Sequence, residues 1–178
     1  MSDPFIGLAA AAAATTKLLL GTGISLVTEH DPIVQAKQVA SLDRISSGRF
    51  LFGIGAGWNK EEMLNHGTRP EDRWNVLTER IEAMKALWTD DEASYHGRFV
   101  NFEKVWSFPK PVSVPHPPIL LGSLSSKTAL KRVVDLCDGW IPVAAAVDDL
   151  PGKIIKMREL RRGRVKPSND FERKKCAS

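Results

Sequence analysis

A chain of 178 residues, 43% hydrophobic and 26% charged, is long enough for one domain with a real core and too ordinary in composition for a fibrous or disordered protein. The formal net charge of +4 is unevenly spread: residues 1–151 carry net −3 and residues 152–178 net +7, so the basic character sits in the C-terminal stretch and does not mark a nucleic-acid-binding face. Two cysteines, Cys137 and Cys176, give neither a disulfide framework nor a metal spacing, which fits a reducing cytoplasm, and the Met-Ser-Asp-Pro start with its interrupted alanine run reads as neither a signal peptide nor a membrane span.

Residues 4–16 read as the end of an alanine-rich helix. Leu18 to Val27 is an apolar run with Gly21 and Gly23 inside it, which predicts a strand with a bulge or bend. Asp31 and Pro32 then form an N-cap and a first-turn proline. Ile33, Val34, Ala36, Val39, Ala40, Leu42 and Ile45 follow at helical spacing, and Ser47-Gly48 ends that helix. Arg49 to Ile54 is a buried strand that runs into a glycine-dense corner, Gly55-Ala-Gly57, with a polar helical stretch after it. Thr68 and Glu71 have the spacing of a capping box. The helix they would open carries Leu77, Ile81, Met84 and Trp88 on one face.

Residues 89–117 are irregular, with a small hairpin at Tyr95–Phe99. Pro118 to Leu121 is a short strand ending in Gly122-Ser123. Ser125 or Ser126 caps a helix bearing Ala129, Leu130, Val133, Val134 and Cys137, which Gly139 stops. Trp140 to Val143 is another short strand, and Asp149 and Pro151 open a last helix with Ile154, Ile155, Met157 and Leu160. Residues 161–178 are basic and turn-rich and are expected to be a disordered tail after a domain over residues 1–160.

The order is one helix and then β-α four times, with strands that are continuous apolar runs as buried parallel strands require. Such repeats leave a doubly wound sheet or a TIM barrel. The glycines at 53, 55 and 57 alternate and do not give the dinucleotide fingerprint, and no acidic residue ends a strand about 20 residues on. The P-loop lysine is missing too. The barrel is the expected fold.

The residues that fix a finer reading are Leu20-Gly-Thr-Gly-Ile24, His30-Asp-Pro32, Asp43-Arg-Ile-Ser-Ser-Gly-Arg-Phe50 and Gly53-Ile-Gly-Ala-Gly-Trp-Asn-Lys-Glu-Glu62. Asn65-His-Gly67, Tyr95-His-Gly97, Pro109-Lys-Pro111, Pro117-Pro-Ile-Leu-Leu-Gly122 and Asp138-Gly-Trp140 continue them in order. On these the chain resembles the luciferase-like monooxygenase superfamily, in its coenzyme F420-dependent oxidoreductase branch. The resemblance implies an α/β TIM (β/α)8-barrel fold. Here it would be an incomplete barrel of about four βα units, strands three to six, with the family insertion at about 89–117.

The resemblance also implies site residues. Gly23 and Ile24 would form a bulge, often with a non-prolyl cis peptide, that backs the deazaflavin ring; the plainer alternative is a strand bend that eases the sheet into a curve. Gly55, Ala56, Gly57, Trp58 and Asn59 would face the cofactor, or simply make a tight βα turn. Trp58 stands where a sugar-phosphate dehydrogenase branch has an acidic residue, so that proton chemistry is not implied, and a stacking or pocket-shaping role is. Gly122 and Ser123 match a Gly-Gly pair whose backbone amides hold the cofactor phosphate, as amides at a helix N-terminus can; a plain helix cap is the alternative.

His30, at a strand end, is a candidate acid or base and equally a helix-entry residue. His66, His96 and His116 read as surface residues without metal spacing, with His66 also a pocket candidate, Glu61 and Glu62 as a solvated first helical turn, and Trp74, Trp88, Trp106 and Trp140 as packing. The expected activity is hydride transfer between coenzyme F420 and a small organic substrate. The alternatives are an FMN-dependent monooxygenase of the same superfamily, or an inactive barrel fragment that self-associates as a homo-oligomer. No metal, nucleic acid or membrane is expected.

Overall fold

The computed structural model describes residues 3–143 and 148–163. Helix α1 (Pro4–Ala14) is capped by Asp3, whose carboxylate accepts from Ile6 N at 3.1 Å. Strands β1 (Leu20–Gly21) and β2 (Ser25–Leu26) follow, and a single 3₁₀ turn, Val27–Glu29, leads into α2 (Pro32–Ile45). Asp31 caps α2 by accepting from Ile33 N and Val34 N. Ser47 and Gly48, at φ 54° and 78°, turn the chain into β3 (Phe50–Gly55). Next come α3 (Lys60–Asn65), α4 (Arg73–Thr89) and an antiparallel hairpin of β4 (Ala93–His96) and β5 (Asn101–Val105). β6 (Ile119–Ser123), α5 (Lys127–Leu136), β7 (Gly139–Pro142) and α6 (Leu150–Arg162) complete the order.

The main sheet is parallel throughout: β1 and β2 both pair with β3, β3 with β6, and β6 with β7. It curls into half of a barrel, four βα units in place of eight, so the incomplete TIM-barrel expectation holds. Phe50, Phe52, Ile54, Ile119 and Leu121 alternate toward the helices and are fully buried. There they meet Val39 of α2 and Leu77, Ile81 and Met84 of α4 in one core. The other faces of β3 and β6, including Leu51, Leu120 and Gly122, are less buried and form the concave side.

Polar residues fix the geometry where loops cross the ends of the sheet. The Arg49 guanidinium donates to the carbonyls of Ala12 and Thr15, which α1 leaves open at its C-terminus, and to that of Leu18 in the following loop. The buried Asp43 carboxylate accepts from Val112 N, Ser113 N and Ser113 Oγ and ties the 89–117 segment to α2. Asp138 accepts from Ile119 N at the start of β6.

Some local expectations change. The capping box at Thr68 does not form: the Thr68 hydroxyl donates to Thr28 O at 2.7 Å, and α4 starts from Asp72 without a side-chain cap bond. The hairpin is longer than Tyr95–Phe99, because only Gly97–Val100 is needed to turn it. Cys137 ends α5, and Gly139 begins β7. His116 is no surface residue: its side chain is 9% exposed, beside the Trp88 ring at 5.7 Å. Trp106, by contrast, is 72% exposed rather than packed. Helix α6 runs through Arg162, past the expected start of the tail, and residues 164–178 of that tail lie outside the described residues.

Candidate active site

The strand that opens the sheet is interrupted. Between the Gly21–Leu51 and Ser25–Ile54 pairs it has one more residue than β3 opposite, which is a bulge, and the Gly23–Ile24 peptide within it is cis. The bulge turns the Thr22 carbonyl and the Ile24 side chain onto the concave face. A Cβ on Gly53 would overlap Thr22 O, one on Gly55 would overlap Ile24 Cδ1, and one on Gly122 would stand 2.7 Å from Ile24 Cγ2. These glycines therefore clear a space that the bulge fills. The Thr22 hydroxyl locks the arrangement by donating to Gly53 O at 2.6 Å.

Above that layer, at the carboxyl ends of β2, β3 and β6, lies a cleft of about 370 Å³. Ile24 and Leu26 form one wall, and Ala56, Gly57 and Trp58 another. Gly122, Ser123 and Leu124 form the third, with Val143 at the edge. Gly57, at φ 77°, makes the corner possible, and the Thr28 hydroxyl holds the neighbouring Ala56 carbonyl at 3.1 Å. Trp58 is 88% exposed and stands at the rim. Ser123 is buried and accepts at Oγ, as well as at its carbonyl, from Trp140 Nε1.

The far end of the cleft is cationic. Ser126 caps α5 by accepting from Ala129 N, and both residues line the cleft. Arg132, one and a half turns into α5, stacks over the Trp74 ring at 4.3 Å. Arg73 lies against the same ring at 5.9 Å. Burial, and then the Arg73 charge, push the Arg132 guanidinium below its ordinary value. Arg132 has no hydrogen-bond acceptor among the described residues, and Arg73 Nε is buried without one. Arg73 lies outside the lining, but Ser126 and Arg132 at this end, with apolar walls elsewhere, suit a ligand that is part anionic and part apolar.

Of the expected site residues, the fold brings Ile24, Ala56, Gly57, Trp58, Gly122 and Ser123 to this cleft. Gly23 belongs to the cis peptide but is not in the lining, and Gly55 lies beneath Ile24. Asn59 caps α3, accepting from Glu62 N. His30 ends the 3₁₀ turn outside the lining; burial lowers its pKa, with Asp3 opposing and His66 and Arg80 adding to the shift. Trp74 and Arg132 were not expected here. They come from two helices far apart in sequence, and only an unpaired arginine in the first turns of a post-strand helix hints at the second of them. A second groove, about 440 Å³ between α5 and α6, is lined by residues of the two helices and by Gly163 just past α6, with no strand residue among them. Among the described residues, no group of three or more His, Cys, Asp or Glu could hold a metal ion, and no helix is long and apolar enough to cross a membrane.

The sequence pattern that defines the luciferase-like monooxygenases matches residues 1–173. The chain belongs to the luciferase-like monooxygenase family. It is 44% identical over 155 residues to an uncharacterised protein of Mycobacterium tuberculosis, covering 86% of this chain and 55% of that one. It is 32% identical over 149 residues to an FMNH2-dependent dimethylsulfone monooxygenase of Pseudomonas putida, covering 82% of this chain and 40% of the other. Its fold superposes on an F420-dependent secondary alcohol dehydrogenase, in complex with an F420-acetone adduct, with a TM-score of 0.77 at 24% identity, over 91% of this chain and 50% of that one. The chain thus spans about half the length of the family members it matches. The proteins it resembles thus include an FMNH2-dependent enzyme by sequence and an F420-dependent one by fold.

Proposed function

We propose that the cleft seats a flavin-type cofactor, coenzyme F420 first, and that the site serves hydride transfer between it and a small organic substrate. The observation that carries this reading is the two-part character of the cleft: an apolar floor and walls around Ile24, and the Ser126–Arg132 end facing it. A tricyclic ring with a phosphate-bearing side chain has that division of chemistry. The cofactor, when bound, supplies the hydride acceptor or donor. The chain supplies placement. Ile24 is a rigid β-branched support for one ring face, and Leu26, Trp58 and Val143 exclude water. The amino end of α5, with Arg132, holds the anion. By resemblance to the F420-dependent branch, the Gly55–Asn59 corner favours the deazaflavin over FMN.

A second reading, FMN in the same cleft, is favoured by the 32% identity to the Pseudomonas putida FMNH2-dependent enzyme. Parallel fluorescence titrations of the chain with coenzyme F420 and FMN separate the two. Saturable binding of F420 in the micromolar range, with FMN weaker by about tenfold or more, is the expected result. Tighter binding of FMN would transfer the proposal to the second reading, and binding of neither would sink both.

A further inference from the structure

We propose that Gln35 is a positioning residue for the cleft. Through its hydrogen bond to Ser25 it fixes Ile24 and Leu26, the lining residues on either side of that serine, where they support a ligand. The proposal rests on the reading of the cleft as a cofactor site.

Ile24 and Leu26 line the cleft, while Ser25 between them is buried and outside the lining. Gln35, near the start of α2, is fully buried, and its Nε2 donates to Ser25 Oγ at 2.9 Å. The tie therefore runs from the helix layer to the residue between two parts of the cleft wall. Strand β2 needs such a tie, because it has two residues and pairs with β3 alone.

Packing by itself does not call for a polar pair here. Phe50, Phe52, Ile54, Ile119 and Leu121, which face the helices from β3 and β6, are apolar and fully buried. Gln35 Oε1 is buried without a hydrogen-bond partner among the described residues. That acceptor costs stability that an apolar pair would keep. What the amide and hydroxyl give in exchange is a fixed distance and direction, where apolar side chains can slide.

Both ends of the tie are set in a rigid frame. Ala36 O, next to Gln35, accepts from the buried Trp88 Nε1 at 2.9 Å, so α4 holds this turn of α2. On the other side of Ile24 the Thr22 hydroxyl is bonded to Gly53 O, and beyond Leu26 the Thr28 hydroxyl is bonded to Ala56 O. Ile24, whose side chain lies over Gly55 and Gly122, is thus held between the Thr22 and Ser25 bonds. A floor fixed in this way presents one shape to a flat ring.

The test replaces both polar partners by apolar groups of similar size, in Gln35→Met/Ser25→Ala. Native and variant chains are compared by urea unfolding, by hydrogen exchange of the free chain and by fluorescence titration with coenzyme F420 and with FMN. The anisotropy of the bound cofactor is recorded as well. The expected result is a split. The urea midpoint of the double variant stays at or above that of the native chain, because the unpartnered acceptor is gone. The amides of residues 22–28 exchange faster, the cofactor binds about tenfold more weakly, and its bound anisotropy falls. Ser25→Ala alone, which breaks the tie with the smallest change in volume, carries the test through affinity and anisotropy if the double variant does not fold. Affinity and anisotropy equal to native overturn the proposal. So does a fall in the urea midpoint of the double variant in step with the loss of binding, which is the mark of an ordinary structural tie. If the native chain binds neither cofactor, the cofactor reading fails and this proposal with it, a result distinct from equal binding by native and variant chains.

Discussion

Ile24 occupies the space that a side chain on Gly55 would need, so that a Cβ built on Gly55 overlaps Ile24 Cδ1. Gly55 is fully buried and Ile24 is 37% exposed, so the isoleucine is both a filler beneath the cleft and part of its surface. Gly55→Ala should therefore destabilise the chain by overpacking, by about 1–3 kcal/mol in urea unfolding. Combined with Ile24→Ala, the loss should be smaller than the sum of the two single losses. Additive losses would show that the two sites do not share the space.

Asp43 holds the 89–117 segment through three donors, two of them backbone amides. Asp43→Ala leaves those donors without a partner in a partly buried setting. The expected cost is about 3 kcal/mol, with faster proteolysis around residues 109–116 than elsewhere. A change in urea midpoint without altered proteolysis there would argue against a local anchoring role.

Glu29 and His30 are neighbours whose pH effects on stability run in opposite senses. The Glu29 pKa is raised in the folded chain, so its contribution is present below the ordinary carboxyl range and lost as pH rises through the folded value. Glu29→Gln should gain melting temperature over native at neutral pH and lose that advantage in acid. The His30 pKa is lowered, so its contribution is present above the ordinary imidazole range and lost as pH falls through the folded value. His30→Gln should be spared that acid-side loss. Melting curves of the three proteins against pH check both signs.

Arg132, stacked on Trp74 and without an acceptor among the described residues, is placed to meet an anion at the amino end of α5. Arg132→Gln should weaken binding of a phosphate-bearing cofactor by about 10- to 100-fold, the value of a charge-assisted hydrogen bond. Lys127→Gln, at the exposed first position of the same helix, should change it far less. Equal losses would mean diffuse electrostatic attraction in place of a specific contact, and rising salt would then erase both.

The sequence made the caps and the alternation readable because those signals are local. Asp31-Pro32 and Ser126 each bind amides within their own first turn, and the bulge follows from Gly21 and Gly23 within an apolar run. What stayed hidden was set by distance in sequence. Thr68 had the spacing of a cap, yet a carbonyl forty residues earlier took its hydroxyl. His116 looked like a loop residue until the Trp88 ring covered it. Trp74 and Arg132 meet only when α4 and α5 lie side by side. Gly55 was legible as facing a cofactor and Gly122 as offering an amide to its phosphate, but the geometry gives the space over both glycines first to Ile24.

The bulge and its glycines also bear on how this cleft could be reshaped. Gly53, Gly55 and Gly122 belong to two different strands, yet one short segment, Thr22–Ile24, sets the limit on all three. A library that varies the floor one position at a time would reject nearly every change as a clash and report an immutable surface. Varied together, with a smaller residue at position 24 admitting a larger one at 55 or 122, the same floor becomes tunable. The quantity to conserve there is total volume, not residue identity.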